Sequence, residues 1–160
     1  MTTTVFESPL GYVRIRGDEA GVSSISCIDV STNEPVSDSV AAPVDQAVIQ
    51  LKEYFARTRQ TFDFPINPQG TPFQQRVWQA LLEVPYGTSQ SYLTLTRRIG
   101  DEKAIRAVAA ANGKNPLWIV VPCHRIIGSD GSLTGYAGGL WRKKWLLDHE
   151  RGESGQLSLF

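Results

Sequence analysis

The spacing of apolar and polar positions changes period along this chain. Residues 3–7, 12–16 and 22–28 are rich in β-branched and aromatic side chains, with turn residues Ser8-Pro9-Leu10-Gly11 and Gly17-Asp18-Glu19-Ala20-Gly21 between them. Three strands in a meander are expected. After a polar loop over 31–42 the period becomes helical: Val44, Ala47, Val48, Leu51 and Phe55 share a face, Asp45 lies near the start, and the helix should end near Arg57. Residues 64–70 (FPINPQG) read as a linker.

Beyond it, Thr71 offers a helix cap with Gln74 three positions on, Pro72 suits the first turn, and Phe73, Val77, Ala80, Leu81 and Val84 form one apolar face. Trp78 beside that face reads as core. Pro85 and Gly87 stop this helix, and two short ones follow. Ser91 caps the first, which carries Tyr92, Leu95 and Ile99 and closes at Gly100; Asp101 caps the second, which closes at Gly113. This is a helix-turn-helix pattern. The run 117–121 (LWIVV) reads as a buried strand ended by Pro122, Gly128-Ser129-Asp130-Gly131 as a turn, 132–134 as its return strand and 135–139 as a glycine-rich loop. A last helix covers 140–150. The expected fold is therefore α+β. A small antiparallel sheet with a helix occupies domain 1–68, and a mostly helical domain 69–160 carries the helix-turn-helix, a short active-site strand and a flexible tail from residue 152.

Charge separates the two halves. Residues 1–70 hold 5 Lys/Arg against 9 Asp/Glu, and residues 71–160 hold 11 against 7, so a net charge of zero hides a basic second half. Arg97, Arg98, Lys103, Arg106 and Lys114 cluster around the tandem helices, with Asp101 and Glu102 as the only acids among them. The second helix is otherwise built almost entirely of small residues, Ala104, Ala107 and more alanines beside Ile105, with Arg106 the only long side chain. Tight packing inside the protein and close approach to DNA both suit such a helix; the clustered charge points to phosphate contact. No basic-apolar leader or membrane-length apolar run occurs, so a cytoplasmic protein is expected. Two cysteines and two histidines lack zinc-ligand spacing, and no metal is expected.

Cys123 stands beside His124 and Arg125, directly after the apolar run. A thiol is mostly protonated at neutral pH, so a nucleophilic cysteine needs a base or a positive environment, and its two neighbours offer both. Cys27 has no such neighbours and reads as structural. Glu150 ends the last helix, where the helix dipole disfavours a carboxylate unless it has a partner, and a histidine would serve. His149 reads as a surface residue.

The ordered set Thr71-Pro72-Phe73-Gln74, Val77-Trp78, Pro85-Tyr86-Gly87, Ser91-Tyr92, Arg106-Ala107-Val108, Asn115-Pro116, Val121-Pro122-Cys123-His124-Arg125-Ile126-Ile127-Gly128, Thr134-Gly135-Tyr136-Ala137-Gly138-Gly139 and 143–150 resembles the methylated-DNA–protein-cysteine methyltransferases, the O6-alkylguanine-DNA alkyltransferases. The resemblance spans residues 69–152, and it implies a repair protein that takes an alkyl group from guanine O6 onto its own cysteine, once per molecule and without a cofactor. Cys123 would be nucleophile and acceptor, His124 a base acting through water, Glu150 its orienter, Asn115 a structural support, and Tyr92 a proton donor that also rotates the nucleotide. Arg106 would fill the space of the flipped base, with Ala104, Ile105, Ala107, Arg97, Arg98, Lys103 and Lys114 on the DNA. Ile126, Tyr136, Ala137 and Gly138 would line the base pocket. The implied partner is duplex DNA containing O6-alkylguanine, bound in the minor groove by a monomer.

Ile105, the Thr96-Arg97-Arg98 stretch, Ala137 and Trp141 depart from the usual family residues, and the zinc ligands of some members have no counterpart. Alkyltransferase-like lesion sensors lack the nucleophile, and a helix-turn-helix regulator needs none. Position 123 separates these readings, and it is cysteine.

Overall fold

Strands β1 (Thr2–Ser8), β2 (Gly11–Asp18) and β3 (Gly21–Ile28) pair antiparallel in that order, with Ser8 opposite Gly11 and Asp18 opposite Gly21. Short side chains close both turns: Ser8 Oγ accepts from the Leu10 N–H, and Asp18 Oδ1 from the Ala20 N–H. The computed structural model describes residues 1–29, 36–37, 39–133, 136 and 139–152; residues 31–35 and 38 of the expected 31–42 loop and the tail beyond 152 lie outside them. Helix α1 (Ala42–Phe55) lays Val44, Ala47, Leu51 and Tyr54 on the sheet, all fully buried with Val13 and Ile15 of β2. Gly17 permits this approach, since a Cβ there would lie 3.1 Å from the Val44 methyl and 2.7 Å from the Gly21 carbonyl.

Chain contacts divide the protein into two units, residues 1–69 with 116–120, and residues 70–115 with those from 121 onward. In the first unit, the expected linker is partly sheet-bound. Ile66 bridges Val22, flanked by hydrogen bonds from Val22 N to Pro65 O (2.9 Å) and from Asn67 N to Val22 O (2.7 Å).

The second unit begins with helix α2 (Pro72–Leu82), whose capping box is the one expected: Thr71 Oγ1 accepts from the Gln74 N–H and the Gln74 side chain accepts from the Thr71 N–H. Such a cap contributes ~1 kcal/mol. Strand β4 (Gln90–Ser91) leads into helix α3 (Tyr92–Ile99), capped by Ser91, and a short 3-10 turn capped by Asp101 leads into helix α4 (Ile105–Gly113). Trp78 is buried and donates its indole N–H to the Ala111 carbonyl, tying α2 to α4. Strand β5 (Ile126–Ile127) pairs parallel with β4, so the residues just after Cys123 are held against the start of α3. Helix α5 (Leu140–Arg151) completes the unit.

Three expectations change. Residues 117–121 are not a strand: only Leu117 bridges Ile25, and the chain then turns, with Val120 N bonding Trp118 O at 2.8 Å around Ile119 at φ 71°. Burial made the run apolar, and burial alone does not distinguish strand from packed turn. The short strand follows the cysteine instead, as β5. His149 is buried rather than on the surface, stacked on Trp145 with ring centroids 4.7 Å apart, an i,i+4 pair on α5. The 128–131 turn forms, closed by Gly128 N to Ser132 O, but Ser132 and Leu133 form no return strand; Thr134 lies outside the described residues.

Candidate active site

Cys123 begins a single 3-10 turn, Cys123–Arg125, entered through Pro122 and stabilised by Cys123 N to Val121 O (2.8 Å) and Arg125 N to Pro122 O (3.0 Å). The Asn115 amide donates to Val121 O at 2.7 Å, holding the exit of α4 against the turn's entrance, and the same amide faces the Cys123 sulfur. Burial pushes the thiol's pKa up; the Asn115 amide, the Lys143 ammonium and the Tyr136 hydroxyl work in the other direction without overcoming it. The resting group is a thiol, which needs a base to react.

The adjacent residue is a histidine held by a carboxylate. His124 is fully buried, and its Nε2 lies 2.6 Å from Glu150 Oε2. Burial holds the imidazole below its ordinary pKa despite the Glu150 contact, so the ring is neutral near pH 7. Glu150 is an ionised acceptor: burial alone would raise its pKa, but the His124 and Arg125 contacts together hold it well below the carboxylate range. A neutral imidazole facing a carboxylate must donate from Nε2, which leaves Nδ1 as the bare lone pair. Nδ1 is buried and has no hydrogen-bond partner among the described residues. It is the atom available to accept a proton.

Glu150 is held from several sides. Arg125 donates Nε to Oε1 (2.8 Å) and Nη2 to Oε2 (3.0 Å), while its Nη1 reaches the Val84 carbonyl at 2.8 Å and its Cζ lies over the Tyr86 ring, 5.6 Å from the centroid. The Gly87 N–H approaches Oε1 at 3.4 Å from a turn where φ is +77°, a conformation that favours glycine. The Pro85-Tyr86-Gly87 segment thus does more than end α2.

Two functional features escaped the sequence reading. Arg125 was expected to make the thiol's surroundings positive, but its guanidinium is engaged by Glu150. The positive group acting on Cys123 is Lys143, fully buried, with Nζ 5.8 Å from the Tyr92 ring centroid and 5.9 Å from that of Tyr136. Burial lowers the Lys143 pKa, and the neighbouring sulfur opposes that shift. The spacing carried a signal: Lys143 is seven residues before Glu150, hence on the same buried face of α5.

On α4, Val108, Ala111 and Asn112 face inward, while Arg106, Ala107, Ala109 and Ala110 are exposed, so most of the small-residue run faces outward. Ala104 and Ile105 are half-buried at its start. Lys103, Arg106 and Lys114 are exposed and make no ion pair among the described residues. Arg97 pairs with Glu102 at 2.8 Å on the surface, and Arg98 is tied to Ala80 O, Glu83 and Gln90, which engages it with α2 and β4. Ile126 is buried and its N–H bonds Cys123 O, closing the turn. Ala137 and Gly138 lie outside the described residues; Tyr136 is half-buried.

Comparisons with known proteins agree with one another. Residues 72–152 match the family model of the 6-O-methylguanine DNA methyltransferase, DNA binding domain, and residues 1–68 that of its ribonuclease-like domain. A methylated-DNA–protein-cysteine methyltransferase of Methanosarcina acetivorans is 43% identical over 153 residues, covering 94% of this chain and 98% of that protein. The constitutive protein of that name from Bacillus subtilis is 43% identical, covering 92% and 94%. Among solved structures, Mycobacterium tuberculosis OGT in complex with DNA superposes with a TM-score of 0.85 at 40% identity, covering 94% of this chain and 93% of that one.

Proposed function

Because the chain belongs to the 6-O-methylguanine DNA methyltransferase family, and is thus a DNA-repair methyltransferase that binds DNA, we propose that Cys123 itself accepts an alkyl group from O6-alkylguanine in duplex DNA. The observation that carries this is the Cys123–His124–Glu150 arrangement with the bare Nδ1. The thiol proton passes to His124 Nδ1 through a water, the sulfur forms a bond to the alkyl carbon, and the bond from that carbon to O6 breaks with its electron pair leaving on guanine. Tyr92 then supplies the proton that neutralises the departing base. Lys143 favours the thiolate while it forms, and Asn115 keeps the turn in place. A thioether is not hydrolysed under mild conditions, so each molecule acts once. Repair should stop at one lesion per chain however long the incubation, and continued turnover would contradict this reading.

We assign residues 69–160 as the DNA-binding and acceptor domain, engaging the minor groove as a monomer in the cytoplasm. Ile126, Tyr136, Ala137 and Gly138 would border the extruded base. Arg106, exposed on a face otherwise of small side chains, would occupy the space that base leaves, with Lys103, Lys114 and the first turn of α4 against the backbone. Arg98 is the weaker candidate, since its guanidinium holds α2 and β4. Arg106→Ala should slow repair in duplex DNA by roughly 10- to 100-fold while leaving reaction with free O6-methylguanine near wild type. Equal slowing of both would remove the flipping role.

A further inference from the structure

We infer that Arg125 is a positioning residue for alkyl transfer: by clamping Glu150 through two bonds and neutralising its charge, it keeps His124 an uncharged Nε2–H imidazole whose Nδ1 can accept the thiol proton. This inference rests on the reading of Cys123 as the alkyl acceptor.

The geometry carries it. Arg125 gives Glu150 one nitrogen per oxygen, Nε to Oε1 and Nη2 to Oε2, a fork that sets the plane of the carboxylate as well as its location. Its remaining anchors, the Val84 carbonyl and the Tyr86 ring, prevent the fork from swinging away. Oε2 is then aimed at His124 Nε2, 2.6 Å away. Without the arginine, a buried carboxylate at that distance would draw the imidazole toward the protonated form, and an imidazolium cannot act as base. The ionisable groups around the ring are Cys123 and Arg125 on its own turn and Glu150 and Lys143 on α5, with Tyr86, Tyr92 and Tyr136 bordering Arg125 and Lys143. Burial is the first cause that keeps the ring uncharged; Glu150 is the only anion in this set when Cys123 is a thiol, so the neutralisation of Glu150 by Arg125 supports burial by limiting the pull toward protonation. The charges of Arg125 and Lys143 both oppose protonation of His124, Arg125 the more strongly, whereas the charge that acts on the sulfur comes from Lys143.

The test is the pH dependence of single-turnover methyl transfer from an O6-methylguanine duplex for wild type, Arg125→Lys and Arg125→Met. The acid limb of the rate should move to higher pH by about one unit in Arg125→Met, with Arg125→Lys between it and wild type. A uniform rate loss with the acid limb unchanged would show a merely structural role and overturn the inference. Should Arg125→Met fail to fold, nitrogen NMR of the His124 ring across the acid range in wild type and Arg125→Lys decides. The ring is expected to protonate at higher pH in Arg125→Lys than in wild type, and coincident midpoints would overturn the inference. That measurement needs no lesion, so a wild-type protein that takes up no methyl would refute the acceptor reading while leaving the role of Arg125 separately decided.

Discussion

Cys123→Ala is expected to lower methyl uptake by roughly 10⁵-fold or more while leaving the fold and lesion binding in place. In the proposed reaction the sulfur is the atom to which the new bond forms, so no neighbouring group can substitute for it. The cost to the fold should be only about 1 kcal/mol, because the backbone of the turn is held by bonds the substitution does not touch, from Cys123 N to Val121 O and from Ile126 N to Cys123 O. Binding should survive because Lys103, Arg106 and Lys114 are on α4 and its ends, apart from the thiol. Mobility-shift titration of a lesion duplex alongside the uptake assay separates the two effects; uptake persisting in the variant would relocate the acceptor.

Glu150→Gln is expected to damage both stability and rate. The amide cannot neutralise Arg125, which is left as a buried unpaired cation, and breaking a buried pair in this way costs about 3–5 kcal/mol. The thermal midpoint should fall by roughly 10 °C, and the repair rate by about 100-fold as His124 loses its orienting acceptor. The pH dependence of stability follows from the direction of the shifts. Glu150 is held below its ordinary value of 4.5, so its contribution is fully present above that pH and is lost as the pH falls further. His124 is held below its ordinary 6.5, so the unfolded chain takes up protons first and stability declines as the pH falls below that value. In Glu150→Gln the steep loss below 4.5 should disappear. Calorimetry of both proteins across the acid range checks this, and an unchanged acid profile would mean that Glu150 is not ionised in the fold.

What could be read from the sequence was whatever physics places within a few residues. The Thr71–Gln74 capping box and the Ser91 cap are local hydrogen bonds, and the structure forms both; Asp101 caps the 3-10 turn before α4 rather than α4 itself, whose N-cap Ala104 has no side-chain cap. Cys123 and His124 are adjacent, so their pairing in one turn required no knowledge of the tertiary fold. Residues 117–121 show the converse. They are apolar because they are buried, and whether they extend or turn depends on Ile25 and on the left-handed conformation at Ile119, neither of which has a local signature. The partner of Arg125 has no local signature for the same reason, since Glu150 lies 25 positions away. His149 could have been placed correctly, because Trp145 stands one helical turn before it. Lys143 likewise shares the face of Glu150, and a lysine on an inward face asks for a partner.

The central claim is that the thiol of Cys123 is itself the alkyl acceptor. Incubation with excess duplex containing O6-methylguanine, followed by intact-protein and peptide mass spectrometry, tests it most directly. One added methyl per chain, confined to the peptide containing Cys123 and stable to prolonged incubation, is the expected result. An unmodified Cys123 at full lesion excess, or a methyl carried on any other residue, would contradict it.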